Sequence, residues 1–486
     1  MSYIGPAPKS GFVATSSQRV TSSTNAYVDL TQSISTLSDV IVWVNNVKQD
    51  ISNLTLTSST RITLGDTLQS SDIVQIHYLG KVVSTQAPAT GQVTNDMLAG
   101  SITGAKITDS TITSGKIASG VIPSLRPNVS PIIINGSMDI SQRSVSSTGQ
   151  TASGYYTVDR MKLTASSLGT WTLAQEAQTS GNAFLNGFAN AMRIDCTTAD
   201  ASPSSGDFLA FCTYLEGQDL QMFKKGGANA ETFTLAFWVK SNLTGNAQVN
   251  LRDKDNTRMI SSAYSISSAN TWEHKVLNFA KDETGAFGDD NGRSLEIEWT
   301  LDSGSDFTSG AIPTAWEATS NGDRNVNNLD VGGSTSNDWS ITGIQLEVGE
   351  FSSTNLPSFQ HESYGKNLSR CERYYQVVGS GTRADNLTYF SAYNHDGTST
   401  MFGIFNFRTT MRAEPSLDQT SGTNYYTFSC NNASDDFDGV NGIRGGIHGI
   451  LLYLSGGSSV GSSSAGMAGM VLGKDASSHV ALSSEL

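Results

Sequence analysis

The chain has 486 residues and a formal net charge of −14, with 37% hydrophobic and 15% charged residues. This length predicts about three domains rather than one core. The acidic balance argues against nucleic acid as a partner, because phosphate binding needs clustered Lys and Arg. No apolar run reaches the roughly 18 residues of a membrane-spanning helix, so we expect no membrane insertion. The 47 glycines, with abundant Ser, Thr and Asn, favour β-rich domains with many turns.

The beginning of the chain lacks a basic region followed by an apolar core, so we expect no secretory signal peptide. The cysteines are widely spaced and form no Cys-x-x-Cys pair, which gives no case for zinc. We expect buried free thiols, as in a protein assembled in a reducing cytoplasm. They are Cys196, Cys212, Cys371 and Cys430.

Residues 1–88 predict a small β-sandwich domain. The β-branched and aromatic run Val40–Val44 is followed by a turn at Asn45 and Asn46, and shorter strands are expected at Thr60–Leu64 and Ile73–Leu79. Gly, Asp and Ser residues separate these strands, as turns require.

Residues 89–130 contain a run of five-residue units, from Asp96 to Leu125, with an apolar residue at each second position. A period of five fits neither a helix nor a plain strand. One such residue per unit cannot form a core in a single chain, so we expect three parallel chains to meet on an axis as a short intertwined β shaft. A one-chain solenoid and a flexible linker are the alternatives. The axis residues are Met97, Ile102, Ile107, Ile112, Ile117 and Ile122.

Residues 131–368 predict a larger, jelly-roll-like β-sandwich, or two smaller sheets, because the expected strands are longer and more aromatic and the last two of them alternate with period two. The expected strands are Trp171–Leu173, Phe233–Lys240, Ala247–Leu251, Leu295–Trp299 and Trp339–Glu347.

Residues 369–486 predict a C-terminal β-sandwich tip, so the whole chain is expected to be all-β. Strands are expected at Met401–Phe407 and Ile450–Leu454. The Asn-, Asp- and Gly-rich stretch 431–446 and the Gly/Ser run 455–464 are expected to be loops.

Two sets of sequence blocks resemble proteins of tailed bacteriophages. The first resembles the N-terminal virion-anchoring domain of tail fibres and comprises Ser38–Gln49, Thr60–Leu64 and Asp72–Gly80. The second resembles the carbohydrate-binding-module-like region common in tail fibre and tail-associated proteins. It comprises Asn135–Arg143, Tyr156–Met161, Phe233–Ser241, Ile341–Gly349 and Cys371–Tyr375.

The resemblance covers residues 38–80 and 132–376 and implies a homotrimeric tail fibre of the virion, made in the host bacterial cytoplasm. It further implies that the N-terminal domain attaches to a tail protein, such as an adaptor, nozzle or baseplate component. The C-terminal half would then bind a host receptor, either a surface glycan or an outer-membrane protein. A polysaccharide-cleaving tailspike and a virion decoration or baseplate protein are the alternatives.

Glycan recognition uses aromatic faces for the apolar side of a sugar, flanked by polar groups. Aromatic residues in loops or at strand ends are therefore candidate glycan contacts, whereas Trp238 and Trp299 lie mid-strand and are expected in the core. The candidates are Trp272, Trp316, Trp339, Tyr393 and Tyr426.

Several acidic residues are candidate metal ligands or catalysts. Asp253 with Asp255, Asp289 with Asp290 and Asn291, and Asp435 with Asp436 and Asp438 could hold Ca²⁺, but they fit turns better. Glu296 and Glu298 share a strand face that Glu347 could approach, as a glycosidase pair requires. No nucleophile, zinc or phosphate-binding motif occurs, and the histidines are isolated. We therefore expect no enzyme activity and no cofactor.

Overall fold

A computed structural model describes residues 15–79, 130–382, 388–457 and 463–486. The chain separates into two compact units, to which residues 15–79 and residues from 130 onward respectively belong. The regular secondary structure of both units is almost entirely antiparallel strand, which confirms the all-β class. The expected trimer-axis residues, Met97 and the isoleucines at 102, 107, 112, 117 and 122, lie outside the described residues, so the shaft stays a prediction.

The N-terminal unit is a small sandwich of two sheets. Its core lies between them and includes Val42, Ile62 and Ile76. Asn45 and Asn46 both have positive φ, at 48° and 65°, as the tight hairpin after the predicted strand requires. The first sheet contains, in spatial order, β1 (Ser16–Thr21), β7 (Ile73–Tyr78), β3 (Val40–Val44) and β4 (Val47–Lys48). The second sheet contains β2 (Tyr27–Asp29), β6 (Arg61–Thr63) and β5 (Thr55–Ser58).

The second unit begins with a jelly-roll-like sandwich of two six-stranded sheets, here called the first sandwich. Sheet A contains β16 (Glu273–Phe279), β13 (Phe233–Ser241), β19 (Asp338–Val348), β11 (Asn190–Thr198), β10 (Thr170–Ala177) and β8 (Ser146–Gln150). Sheet B contains β18 (Glu317–Ala318), β15 (Arg258–Ile266), β14 (Gly245–Asp253), β17 (Arg293–Ser303), β12 (Phe208–Glu216) and β9 (Met161–Ser166).

The core of the first sandwich is aromatic. Phe211 of sheet B lies between Trp299 and Trp339, with ring centroids 5.7 and 5.6 Å away. All five strands predicted in this region are present, because period-two alternation places one face of each against this core.

The C-terminal sandwich, residues 375–483, has its own core. Its larger sheet contains β25 (Ala433–Phe437), β24 (Tyr426–Cys430), β28 (Ala468–Gly473), β21 (Thr388–Asn394), β22 (Met401–Asn406), β27 (Gly449–Ser455) and β26 (Gly439–Gly445). Its smaller sheet contains β20 (Tyr375–Ser380), β29 (His479–Ser483) and β23 (Ser416–Gln419).

The expectation of a loop over 431–446 is wrong. This stretch holds β25 and β26, because Asn431 and Asn432 take positive φ and return the chain along β24. The run 455–464 lies partly outside the described residues.

Two short helices were not predicted. They are α1 (Gly181–Leu185) and α2 (Tyr364–Glu372), and α2 leads from the first sandwich into the C-terminal one. No described helix is long and apolar enough to cross a bilayer. Single 3₁₀ turns occur at Leu37–Asp39, Ile51–Asn53, Gly217–Asp219, Gln221–Phe223, Asn321–Asp323 and Val331–Gly333.

Polar contacts join the two sandwiches. The Arg373 guanidinium forms a two-pronged pair with Glu216 of β12, at 2.8 and 2.6 Å, and the Tyr374 hydroxyl donates to the same carboxylate. Burial alone would raise the pKa of Glu216, but these hydrogen bonds outweigh it and lower that pKa. A buried carboxylate with paired oxygens, that of Glu216, therefore links the two sandwiches.

Candidate pocket on sheet A

Four of the five aromatic candidates for glycan contact are buried, which differs from the expectation that they stack on sugars. Trp272, Trp316, Trp339 and Tyr426 are 5%, 8%, 0% and 0% exposed. The indole of Trp272 donates to Gln178 at 3.0 Å, and the indole of Trp316 donates to the Ala280 carbonyl at 2.8 Å. Their polar atoms are thus used internally.

Tyr393 is the exception, with 41% of its surface exposed. It lies on the outer face of the larger C-terminal sheet, opposite Phe402 of β22. The two rings meet edge to face, as does the pair of Tyr393 and His395. No flat aromatic platform results.

A pocket of about 420 Å³ opens on the outer face of sheet A. Trp238 of β13, His274 of β16, and Gly343 and Gln345 of β19 line it. The expectation that Trp238 lies in the core is therefore wrong. Its neighbours Phe237 and Val239 are fully buried, so strand alternation turns the indole outward, where it is half-buried.

Trp238 and His274 form the aromatic side of the pocket. They are direct cross-strand partners, and their rings stack with centroids 4.9 Å apart and an interplanar angle of 27°. Such a pair is held by the sheet register rather than by a loop, so its position is preorganised.

A bulge in β19 opens the floor of the pocket. The register between β13 and β19 shifts between Ala236 and Trp238, and Gly343 in this bulge has φ of +62°. A Cβ at Gly343 would lie 2.7 Å from Cζ of Phe188, so only glycine fits there.

The opposite wall comes from two segments outside the strands. Phe188, which follows α1, packs against Phe359 at 4.9 Å, and Phe359 packs against His361 at 4.8 Å. Gln345 donates from Nε2 to the Pro357 carbonyl at 2.8 Å and thereby ties the wall segment to β19. Asn186, Ser353 and Ser358 complete the polar rim.

This arrangement combines aromatic rings with amide, hydroxyl and imidazole groups. Its volume lies within the range of about 300–1,000 Å³ that is typical of small-molecule sites. Among the residues that the structure describes, no Asp, Glu, Lys or Arg side chain lines it. The chemistry suits an uncharged ligand with an apolar face and many hydroxyls.

The carboxylates considered for catalysis form a buried ionic cluster on the outer face of sheet B. Glu298 pairs with Arg324 at 2.6 Å and with Arg252 at 3.1 Å, and Glu296 pairs with Arg252 at 3.3 Å. Burial would raise the pKa of Glu298, but the two arginines lower it to about 2. Glu347 lies on sheet A, so the expectation that it approaches this pair is wrong.

Glu296 and Glu298 also belong, with Cys212, to the single group of three potential metal ligands among the described residues. Their arginine partners already neutralise them, so the group does not suit a cation.

The acidic groups weighed for Ca²⁺ have internal partners. Asp253 pairs with Lys225, and both side chains are fully buried. For other residues of these groups the partners are backbone amides, a carbonyl and one lysine. These contacts are Asp255 with Gly288 N, Asp290 with Gly292 N, Asn291 with Arg412 O, Asp436 with Lys474, and Asp438 with Asn424 N.

All four cysteines are buried free thiols, as expected. Burial raises the pKa of Cys212 and Cys371 well above the ordinary range, so these thiols are unreactive.

No protein-family model matches the chain, and no curated protein matches it. Among solved structures, the enzymatically active domain of tailspike protein 4 of bacteriophage CBA120 is similar at 13% identity and a TM-score of 0.24, over 45% of this chain and 21% of that one. TmCBM61 in complex with β-1,4-galactotriose is similar at 8% identity and a TM-score of 0.22, over 45% and 99%. A family 11 carbohydrate-binding module of a Clostridium thermocellum cellulase is similar at 10% identity and a TM-score of 0.21, over 45% and 95%. Because every TM-score is below 0.5, these likenesses establish no function for this chain.

Sequence reasoning missed most of the pocket. The outward direction of Trp238 could have been found from the alternation of Phe237, Trp238 and Val239. Phe188, Phe359 and His361 come from separate irregular segments, and no local pattern marks them.

Proposed function

We propose that the chain is a tail-fibre subunit that binds a host-surface glycan in the pocket on sheet A. The stacked pair of Trp238 and His274 carries this proposal, because it offers an aromatic face beside polar groups and no charge. An aromatic face next to hydrogen-bonding groups matches the two sides of a pyranose ring.

The tail-fibre part of the proposal is supported by the sequence resemblance over residues 38–80 and 132–376. The N-terminal unit would attach to a tail protein, and the five-residue units would hold three chains together. The first sandwich would carry the receptor pocket. Localisation on the virion tail follows from the same proposal.

Competition with phage for host cells tests this role. The full-length protein should block adsorption of the phage that encodes it and release no reducing ends from purified host polysaccharide. Release of reducing ends would show a depolymerase instead. Labelling on the head or within the baseplate of purified virions would favour a decoration or baseplate protein.

A further inference from the structure

Two histidines line the pocket on sheet A, one from β16 and one from the wall segment that contains Phe359. His274 stacks on Trp238, and His361 packs edge-on against Phe359. No hydrogen bond joins either ring to another of the described residues, and both residues are exposed at the pocket mouth. Their ring nitrogens are therefore available to a ligand.

Charged groups near the pocket are already engaged. Each ionisable Asp, Glu, Lys or Arg within two residues of the lining makes an ion pair or a hydrogen bond within the chain. These contacts are Lys275 with Glu273 at 2.6 Å, Lys240 with Glu176 at 3.6 Å, Glu347 with Gln345 at 2.8 Å, and Glu362 with Arg370 at 2.7 Å and Lys366 at 3.0 Å. Within two residues of the lining, the described part of the chain therefore offers no unpaired Lys or Arg to an anionic ligand.

The imidazoles suit neutral hydroxyls. A neutral imidazole supplies one N–H donor and one lone-pair acceptor, which a sugar hydroxyl can satisfy in either direction. Partial burial against Trp238, followed by the charge of Lys275, lowers the pKa of His274, so this ring is neutral at pH 7.5.

Building on the proposed glycan binding, we infer that His274 and His361 together bind an uncharged sugar unit and that the pocket excludes units carrying a carboxylate. The Trp238 ring stacks on the apolar side of the sugar. The two imidazoles form the hydrogen bonds that select hydroxyl groups over a carboxylate. The ligand class is therefore a neutral hexose unit rather than a uronic or sialic acid.

Affinity for this ligand should depend on pH. Protonation removes the acceptor nitrogen of the His274 ring, so binding is strongest where this ring is neutral and weakens as it becomes charged. The charged group that acts on His274 is Lys275, which is itself paired with Glu273 at 2.6 Å. Because the pKa of His274 is lowered from its ordinary value of 6.5, binding should be constant from pH 8 to 7 and fall only below about pH 6.5.

The test uses the full-length protein on an array of hexose-terminated oligosaccharides and their uronate counterparts, which differ only in a carboxylate at C6. Hexose binding should exceed uronate binding at pH 7.5 by roughly tenfold or more, and should weaken roughly tenfold by pH 5. The double variant His274→Gln/His361→Gln keeps amide donors and acceptors but removes both rings, so it should bind hexoses more weakly than wild type at pH 7.5 and without the fall between pH 7 and 5.

The outcomes separate the two proposals. Preference for uronates, or hexose binding with the same pH profile in wild type and double variant, would overturn this inference while leaving glycan binding intact. Binding of neither set, or binding that Trp238→Ala leaves unchanged, would overturn glycan binding by the pocket itself.

Discussion

Arg160 of the first sandwich pairs with Glu485 near the end of the described chain, and both side chains are buried. The guanidinium also donates to the Tyr214 carbonyl at 2.7 Å and lies 3.5 Å from the centre of the Tyr374 ring. Arg143 approaches the same carboxylate at 3.3 Å. The segment that follows β29 is therefore held against the first sandwich by buried charge.

Replacing Glu485 with Gln should destabilise the second unit, because buried Arg160 loses its counter-ion and Arg143 keeps only the more distant Asp159, at 4.0 Å. Breaking such a pair costs about 3–5 kcal/mol. The control Glu283→Gln breaks an exposed pair with Lys281, of which about half of each side chain is accessible, and should cost below about 1 kcal/mol. Urea unfolding at pH 7 gives both values. Equal losses of unfolding free energy in the two variants would mean that the buried ion pair contributes little to stability.

The lowered pKa of Glu298 predicts that the folded protein loses stability in acid. This pKa is lowered from 4.5, the value expected in the unfolded chain, to about 2 in the folded chain. The stabilising effect of Glu298 is therefore complete at pH values above 4.5 and is lost as the pH falls toward 2. A shift of this size corresponds to on the order of 3 kcal/mol. Urea midpoints between pH 5 and 2 should therefore fall more steeply for wild type than for Glu298→Gln. Parallel curves would show that Glu298 does not set the acid response.

The bulge at Gly343 predicts a coupled loss of stability and binding. Gly343→Ala forces an alanine to a φ of +62° and against Phe188, which should cost about 2–4 kcal/mol and close the pocket floor. In Gly365→Ala the added methyl meets nothing within 4 Å, so this helix variant should be neutral or up to about 1 kcal/mol more stable. Urea unfolding and glycan binding measure the two effects. Unimpaired binding by Gly343→Ala would place the ligand elsewhere.

The five-residue units predict a trimer that polar substitution disrupts. Ile107→Asp with Ile112→Asp should yield monomers in mass photometry, because three carboxylates would meet at each of two layers on the axis. Thr108→Asp with Thr113→Asp adds the same charge one position along each unit and should leave the trimer intact. A trimer that survives the isoleucine changes would be held together by its C-terminal domains.

Much of the fold could be predicted because its strands are encoded locally. Runs such as Val40–Val44 and Phe233–Lys240 are rich in β-branched and aromatic residues, which favour strands, and Leu295–Trp299 alternates apolar with polar residues as a strand does. The stretch 431–446 failed because its strands are rich in Asn, Asp and Gly and depend on pairing with β24 and β27. Helix α1 is too short for a periodic signal.

The site was harder to predict than the fold. Trp272 and Trp316 are near turns in sequence, yet their rings reach the core and their indole nitrogens find internal acceptors. The pocket instead depends on a cross-strand pair, Trp238 with His274, and on a wall that approaches from residues 353–361. Distant segments meet there, so composition and spacing cannot reveal it.

The affinity of the full-length protein for a purified host-surface glycan, measured by calorimetry for wild type, Trp238→Ala and Tyr393→Ala, tests glycan binding by the pocket most directly. Trp238→Ala should weaken binding by roughly 30-fold or more, the effect of losing a contact of at least about 2 kcal/mol. Tyr393→Ala, which removes an exposed aromatic from the C-terminal sandwich, should bind like wild type. Unchanged binding by Trp238→Ala together with loss of binding by Tyr393→Ala would show that the receptor site lies in the C-terminal sandwich. That result would contradict the pocket as the glycan site.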